Sequence, residues 1–389
     1  MLALIASLAL AAPPTCATWG EASLLSTCDD CPALNESSGI VWARHRPGVW
    51  FTHNDAGGTA NLYAFDESGV HLETHWASGA AFRDWEDIAS GPCPEGVEAE
   101  TCIYIGDVGD NSSSRESVDI WVVAEPAEGE NAELVAQWRL TYPVEPHDCE
   151  AIVVHPCTGR VYLLTKEREG EPMVFVAPAE PTGPDEVGEL SLVATLNLTW
   201  LGGSGLITGA DWSDGGDRLV VRTYDGGWEW QTDPGSPDDH WSTPPTEIPI
   251  DVEGQGESIS FHPDGGVLTT TERTPMRIVH LPCDTTVAAS ICPPVVEPDD
   301  TGIPGDTAVP EDTSAPADTS DTSSDTDTDT DSPDSDPPAE DSASTALDDT
   351  DKSDDACGCG SSSALLWLGV LGLGLRRRSV RRDEPVEDL

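Results

Sequence analysis

Acidic side chains stand at matching places along this chain. Glu36 in NESSGIVW, Glu86 and Asp87 in DWEDIASG, Glu150 in DCEAIVV and Glu257 in GESISF each come just ahead of, or at the start of, an apolar run. A second set closes the run that follows: Asp55 in THND, Asp107 and Asp110 in GDVGDN, Glu167 in TKE, Asp225 in TYDG and Glu272 in TER. Only His53, Lys166, Arg222 and Arg273 fall in the same places with positive or imidazole character. Carboxylates gathered this densely raise one another's pKa unless a cation sits among them. Hard oxygen donors, with Asn111 and backbone carbonyls nearby, suit a calcium-type ion. The candidate metal ligands are therefore Glu86, Asp87, Asp107, Asp110, Glu150 and Glu257. His53, Lys166 and Arg222 are the groups that could do acid–base or electrophilic work beside a metal. A single acid at a strand end caps a turn or faces solvent more often than it binds anything. What points to a site is the repetition of Glu or Asp before successive apolar runs. GDVGDN is calcium-like in composition but is not an EF-hand loop. The chain has neither a GxSxG elbow nor an HExxH helix, which argues against serine-hydrolase and zincin chemistry.

The elements that must position these acids are short strands. The stretches from Asn35, Asp84, Asp148, Ile207 and Gly256 share one plan, in which an apolar run, a turn at Gly, Asp or Pro, and a second apolar run follow one another. That is a hairpin signature, and its recurrence at roughly 50 to 60 residues implies a propeller or another array. Cut into four-strand units, the first unit reads SGIVWAR, VWFTHND, NLYAFD and VHLETHW. The second reads WEDIAS, CIYIGDV, VDIWVVAEP and ELVAQWRLTYP, and the third EAIVVHP, RVYLLTKE, PMVFVAPA and LSLVATLNL. The fourth holds ITGADWS, RLVVRTY, GWEWQT and TEIPID, with DPGSPDDHWSTPP as a turn-rich loop. The fifth stops after ESISFHP, VLTTTE and MRIVHLP. Its missing outer strand is expected from the N-terminal ATWGEASLL, which would leave no sheet edge open. The expected fold is all-β, a propeller of five four-stranded blades, with six as the alternative count. In a propeller the first strand of each blade lines the axis and the second runs back antiparallel, so the two sets of acids share one rim. Trp85 and Trp212, near the same register, are expected to pack between blades.

The 389 residues carry 72 acids against 18 Lys plus Arg, a formal charge of −54. Nucleic acid and anionic lipid surfaces are excluded as partners, and cations are favoured. Eleven Cys behind an export-type N-terminus indicate an oxidising compartment. CDDC at 28 to 31 has no partners at zinc spacing, so disulfides are expected instead of metal. The spacing suggests Cys93 with Cys102, Cys149 with Cys157, Cys283 with Cys292, and Cys28 with Cys31 or Cys16. Connectivity is not deducible from sequence, and nine Cys before the tail leave one over.

Residues 1–12 read as a signal peptide, with an apolar run closing on Ala11 and Ala12, although no positive charge precedes it. Residues 17–292 hold the propeller. Residues 293–356, rich in Asp, Thr, Ser and Pro, lack the apolar area to offset chain entropy and are expected to form an extended acidic stalk. Residues 357–389 are the last segment, in which CGCGSSS precedes ALLWLGVLGLGL and RRRSVRR. An apolar stretch of about 12 to 15 residues is short against the roughly 20 that a spanning helix needs. This end resembles the tripartite C-terminal sorting signal of myxobacteria and their relatives, with Cys357, Cys359, Leu365 to Leu375 and Arg376 to Arg378 as the matching residues. The resemblance implies a membrane anchor or a sorting enzyme as partner, cutting near the Cys, and display at the cell surface. The acidic DEPVEDL after the basic cluster departs from that pattern.

THND, DWEDIA, IGDVGDN and DxEAI together resemble a group of secreted bacterial propeller proteins, and more distantly the propellers with phytase-like or esterase-like domains. The resemblance covers residues 35 to 283. In phytase-like propellers, calcium ions on the top face bind phosphate and activate water. That implies ligand roles for Glu86, Asp87, Asp107, Asp110, Glu150 and Glu257. Few Lys and Arg share this chain's rim, whereas a phosphate-binding face adds them to its metals. The expected function is therefore a monomeric, calcium-stabilised binding or adhesion module with a surface or small-molecule ligand. The alternative is a calcium-dependent phosphoester or ester hydrolase on the same face, and a purely structural envelope protein is a third reading.

Overall fold

The computed structural model describes residues 16, 18–28, 34–56, 58–198, 202–252, 254–284 and 292. The expected signal peptide, stalk and sorting segment lie outside the described residues. Strand β1 (Ser23–Cys28) comes first. Blade one is β2 (Ser37–Trp42), β3 (Val49–Asn54), β4 (Asn61–Asp66) and β5 (His71–Ser78). Blade two is β6 (Trp85–Pro92), β7 (Thr101–Asp107), β8 (Val118–Ala124) and β9 (Ala132–Thr141). Blade three is β10 (Cys149–Val154), β11 (Val161–Thr165), β12 (Met173–Val176) and β14 (Ser191–Thr195), with the two-residue β13 (Gly188–Glu189) running parallel to β9. Blade four is β15 (Ile207–Trp212), β16 (Arg218–Thr223), β17 (Gly226–Gln231) and β18 (Thr246–Ile248). Blade five is β19 (Gly256–Phe261), β20 (Val267–Thr271), β21 (Met276–Leu281) and, as its outer strand, β1. Among the described residues the single helical element is a 3-10 turn over Asp239–Ser242, and no helix is long and apolar enough to cross a membrane.

The fold is a five-bladed β-propeller. Innermost strands β2, β6, β10, β15 and β19 pack side by side in that order, and β19 returns to β2. Closure comes from the N-terminal segment, as the sequence implies. Ser23 lies opposite His280 and Leu24 opposite Val279, and Trp19 bridges to Cys283. One link was not expected: Ala77 and Ser78 of β5 pair in parallel with Ala132 and Glu133 of β9, joining blades one and two at their outer edges.

Each interface between neighbouring blades holds its own apolar cluster, because strands that pack on both faces bury both sets of side chains. Phe51, Trp85 and Trp121 fill the first interface, Tyr104, Trp138 and Ile152 the second, and Tyr162, Trp212 and Trp241 the third. Val220, Ile248 and Phe261 fill the fourth, and Trp50, Tyr63 and Ile278 the seam between blades five and one. Trp85 and Trp212 are packing residues, as expected. The inner strands approach so closely that a methyl on Gly39 would lie 2.5 Å from the Ile88 nitrogen, and one on Gly209 2.6 Å from the Glu257 carbonyl oxygen. Glycine is what lets these strands meet.

The disulfides correct part of the expected scheme. Cys93 bridges Cys102 across the β6–β7 hairpin, as the spacing implies. Cys16 pairs with Cys283 and Cys157 with Cys292, and Cys28 is also disulfide-bonded. Cys149 is free and buried, so neither Cys149–Cys157 nor Cys283–Cys292 forms. The reason is geometric. Cys93 and Cys102 flank a hairpin loop and face one another, whereas Cys149 begins β10 and Cys157 lies in the turn beyond its far end. Strand rise separates the latter two well past the roughly 7 Å limit between bridged Cα atoms.

The Cys16–Cys283 bridge spans 267 residues and ties the closing strand to the end of blade five. Loop-closure entropy makes it more stabilising than the nine-residue Cys93–Cys102 staple. Replacing both Cys16 and Cys283 by Ser should cost about 2–5 kcal/mol. Thermal melts should show a larger drop in unfolding temperature than for the paired Cys93 and Cys102 variant, and equal drops would contradict the closing role.

Candidate metal centre at the axial mouth

Each of the five innermost strands carries a register shift at its start. The shifts fall between Ser37 and Ile40, Trp85 and Asp87, Cys149 and Ala151, Ile207 and Gly209, and Gly256 and Ser258. A bulge inserts an unpaired residue and re-aims its side chain. The residues inserted here include Ser38, Glu86, Glu150, Thr208 and Glu257. Four of them, Ser38, Glu86, Glu150 and Glu257, line one polar cavity of about 210 Å³ at the axial mouth. Ends of second strands and the turns after them supply the rest of the wall: Asp55, Asn111, Lys166, Arg168, Tyr224 and Glu272. Where the bulge carries a hydroxyl, it secures the next blade. Ser38 Oγ donates to the Glu86 carbonyl, and Thr208 Oγ1 donates to the Gly256 carbonyl at 2.9 Å.

Two groups of side chains meet at the mouth. On one side Lys166 Nζ pairs with the Glu150 carboxylate and donates to Tyr224 Oη at 3.0 Å. Tyr224 Oη in turn donates to Glu257 Oε1 at 3.0 Å, so one ammonium serves two carboxylates. Burial alone would lower Lys166, but the adjacent Glu150 outweighs it and holds the ammonium protonated. On the other side Asp55, Asp84 and Glu86 bring one oxygen each to within 4.8 Å of one another, an arrangement able to hold a metal ion. Glu86 is only 4 % exposed, and among the described residues no donor reaches its carboxylate. Asp55 Oδ1 and Asp148 Oδ2 are buried without a hydrogen-bond partner. Burial and the neighbouring Glu150, Asp55 and Asp84 push Glu86 well above the carboxylate range. Burial, then Asp84 and Glu272, push Asp55 up to about 7. Glu257 is also raised to about 7, by burial first, with Lys166 opposing and Glu272 adding to it. Unpaired buried oxygens beside a like-charged cluster are chemically suited to a hard divalent cation.

Of the residues singled out from sequence, Glu86, Glu150, Glu257 and Lys166 meet in this cavity, with Asp55, Glu272 and Asn111. The others lie elsewhere. Asp87 turns away from the mouth and accepts backbone N–H groups from Ile88 at 2.9 Å, Ile152 at 3.1 Å and Ala210 at 3.4 Å, stitching three inner strands together. Asp107 pairs with Arg115 at 2.9 Å. Asp110 caps its own turn, accepting from the Ser114 and Arg115 backbones. His53 is fully buried, its Nε2 accepting from the Gly39 N–H at 3.1 Å, and burial lowers it to about 4. Arg222 Nη1 donates to the Ser258 and Thr270 carbonyls at 3.1 and 3.3 Å, outside the cavity lining. Glu167 binds His147, and Asp225 accepts from Ser204 and Thr223. Asp84 and Asp148 are not among the residues expected from the sequence. A signal for both was present, since Asp84-Trp85-Glu86 and Asp148-Cys149-Glu150 repeat an Asp two residues before the bulge Glu.

No protein-family model matches the chain, and no curated protein does. Solved structures with some likeness include the soluble aldose sugar dehydrogenase of Escherichia coli in its apo-form. It shows 10% identity and a TM-score of 0.39, over 68% of this chain and 99% of that one. The PQQ-bound aldose sugar dehydrogenase of Streptomyces coelicolor shows 11% identity and a TM-score of 0.37, over 70% and 99%. A gluconolactonase of Xanthomonas campestris shows 12% identity and a TM-score of 0.33, over 60% and 69%. Those activities are properties of those proteins.

The raised carboxylates set a pH dependence. A group whose folded pKa exceeds its unfolded value stabilises the fold fully below the unfolded pKa, and that contribution is lost as pH rises through the folded value. For Asp55 and Glu257 the window runs from about 4 to about 7. In chelator, the unfolding temperature should therefore fall between pH 5 and pH 8, and Glu257→Gln should flatten the fall. A melting temperature that rises across this interval in chelator would contradict the arrangement.

Proposed function

We propose that this chain is a cell-surface-displayed binding or adhesion module whose axial mouth holds calcium. The observation that carries the reading is Glu86, a buried carboxylate facing the cavity with no donor among the described residues, beside Asp55 and Asp84. An all-oxygen donor set of this charge fits calcium better than a softer ion. The cavity, at about 210 Å³, is smaller than the roughly 300–1,000 Å³ of organic-ligand pockets. It suits an ion with its waters, and a ligand would be held through the ion and the surrounding rim. The disulfides support an oxidising, extracytoplasmic setting. Display at the surface rests on the resemblance of the C-terminal residues to a sorting signal, with residues 293–356 as the stalk.

The hydrolase reading retains one supporting feature, the Lys166–Tyr224 pair beside the acids. It is the weaker of the two. Lys166 is already engaged by Glu150, His53 and Arg222 do not line the cavity, and Arg168 is bonded to Asn111 at 2.6 Å. That leaves little positive charge free to hold a phosphate.

Calorimetric titration of the full chain with calcium should show a saturable site above the diffuse binding of the acidic stalk. The site should vanish in Glu86→Gln, and calcium should raise the unfolding temperature of the wild type but not of the variant. Equal calcium response in both would sink the reading. Gly109→Ala should weaken the same site without removing a carboxylate, because the added methyl would lie 2.0 Å from Glu86 Oε1 and 2.7 Å from Asp84. Unchanged calcium affinity in that variant would place the ion elsewhere. Turnover of phosphomonoesters in calcium, lost in Lys166→Met, would favour the hydrolase instead.

A further inference from the structure

Strand β19 runs from the axial mouth to the opposite face. Glu257 stands at its start and His262 just past its end, so ~17 Å of strand separates them. On that opposite face His262, Asp264 and His280 converge, two from the β19–β20 turn and one from β21. We propose that these three residues form a second metal site, of the zinc class, independent of the axial calcium reading.

The geometry is that of a site and not of three neighbours on a surface. One ligand atom from each residue lies within 4.8 Å of the others. His262 Nδ1 is 2.8 Å from Asp264 Oδ1, and His280 Nε2 is 3.0 Å from Asp264 Oδ2, so the carboxylate spans both imidazoles. The rings themselves are 4.4 Å apart at their centroids. The Gly266 N–H donates to Asp264 Oδ1 at 2.8 Å and fixes the carboxylate. Trp50 stacks on the His262 ring at 5.9 Å and 17°, while Trp42 meets it edge-on at 5.9 Å, which fixes that imidazole. His280 is held by its strand, opposite Leu268 on one side and Ser23 of β1 on the other.

The Asp264 carboxylate draws a positive charge onto each imidazole nitrogen that faces it. His280 Nε2 is buried 3.0 Å from Asp264 Oδ2, a contact that is attractive only when that nitrogen carries a proton or a cation. His262 Nδ1 accepts the Asp264 backbone N–H at 3.2 Å, yet faces the Asp264 carboxylate as well. That nitrogen cannot serve both at once, and its contact with the carboxylate is attractive only when it carries a proton or a cation. A metal ion among the three would take the place of those protons, its bond to His262 Nδ1 replacing the 3.2 Å contact from the Asp264 N–H.

Donor type sets the ion. Two imidazole nitrogens and one carboxylate are the protein ligands of three-ligand zinc sites, which keep a further position for water. Calcium prefers oxygen throughout, so the two faces of the propeller would sort hard from borderline ions by ligand chemistry. His262, Asp264 and His280 side chains are 18, 40 and 14 % exposed, which leaves an entry path and room for that water.

The test is cobalt(II) absorption on the metal-stripped full chain, with zinc competition, in the presence of excess calcium to occupy the acidic groups. The expected result is the strong visible band of four- or five-coordinate, imidazole-bound cobalt, bleached by one equivalent of zinc. Affinity should fall at least about tenfold in both Asp264→Asn and His280→Gln, the lower end of the loss caused even by outer-shell changes. Asn at 264 still accepts the Gly266 N–H, so the turn is preserved, and a melt of each variant checks the fold. Only the faint absorption of six-coordinate, oxygen-ligated cobalt in the wild type would overturn the proposal. So would a His280→Gln protein that keeps the band at unchanged affinity.

Discussion

One additional residue at the start of each innermost strand is the constraint on which the rest of this molecule depends. Simple alternation would send the residue after Trp85, Cys149 or Gly256 into a blade interface or flat against its neighbour. The bulge turns it into the axial mouth instead. Repetition of the defect in every blade gives the mouth its rough five-fold character, while the residue placed on it differs. Blades two, three and five present Glu86, Glu150 and Glu257, and blades one and four present hydroxyls that grip the next blade. The acidic site is thus concentrated by backbone geometry and only then specialised by side-chain choice.

The same geometry explains why two acids adjacent in sequence behave oppositely. Asp87 follows Glu86 directly, but the bulge ends between them, so Asp87 faces into the axis. There its carboxylate accepts N–H groups from its own strand and from β10 and β15. Asp211 repeats the device, accepting from Phe261 N–H and Ser260 Oγ of β19, both at 2.8 Å. Such carboxylates satisfy backbone donors that converging strands would otherwise leave buried and unpaired. Glu86 has no such partner. Satisfied acids hold the ring together, and Glu86 is left facing the cavity.

Closure is handled separately from the site. Outer strand β1 completes blade five, the Cys16–Cys283 bridge holds its approach, and Cys157–Cys292 ties the end of the domain back to blade three. Strand β1 lies at the outer edge of blade five and Cys157 in the turn beyond the far end of β10, while the axial cavity is lined by polar side chains from the bulges and strand ends. The ring can therefore hold a repulsive cluster at its mouth, because apolar interfaces and covalent ties elsewhere resist its opening.

The sequence alone determined the propeller. Its period-two strands, turn residues and recurrence mark out the four-strand units and make the N-terminal segment the expected partner of the short last unit, while the choice of five blades over six came from the structure. It also put Glu86, Glu150, Glu257 and Lys166 on one rim, since strand starts and second-strand ends share a face in any antiparallel blade. Tertiary structure decided what alternation cannot encode. A bulge is a one-residue change of register with no composition of its own, so Glu86 and Asp87 look equivalent in the chain and are separated only in space. Asp107, Asp110, His53 and Arg222 are consumed by local partners that a rim argument does not see. Cysteine pairing likewise turned on which side of a turn each thiol stands, so Cys149 remained a buried thiol although its spacing to Cys157 nearly matches that of a bridged pair.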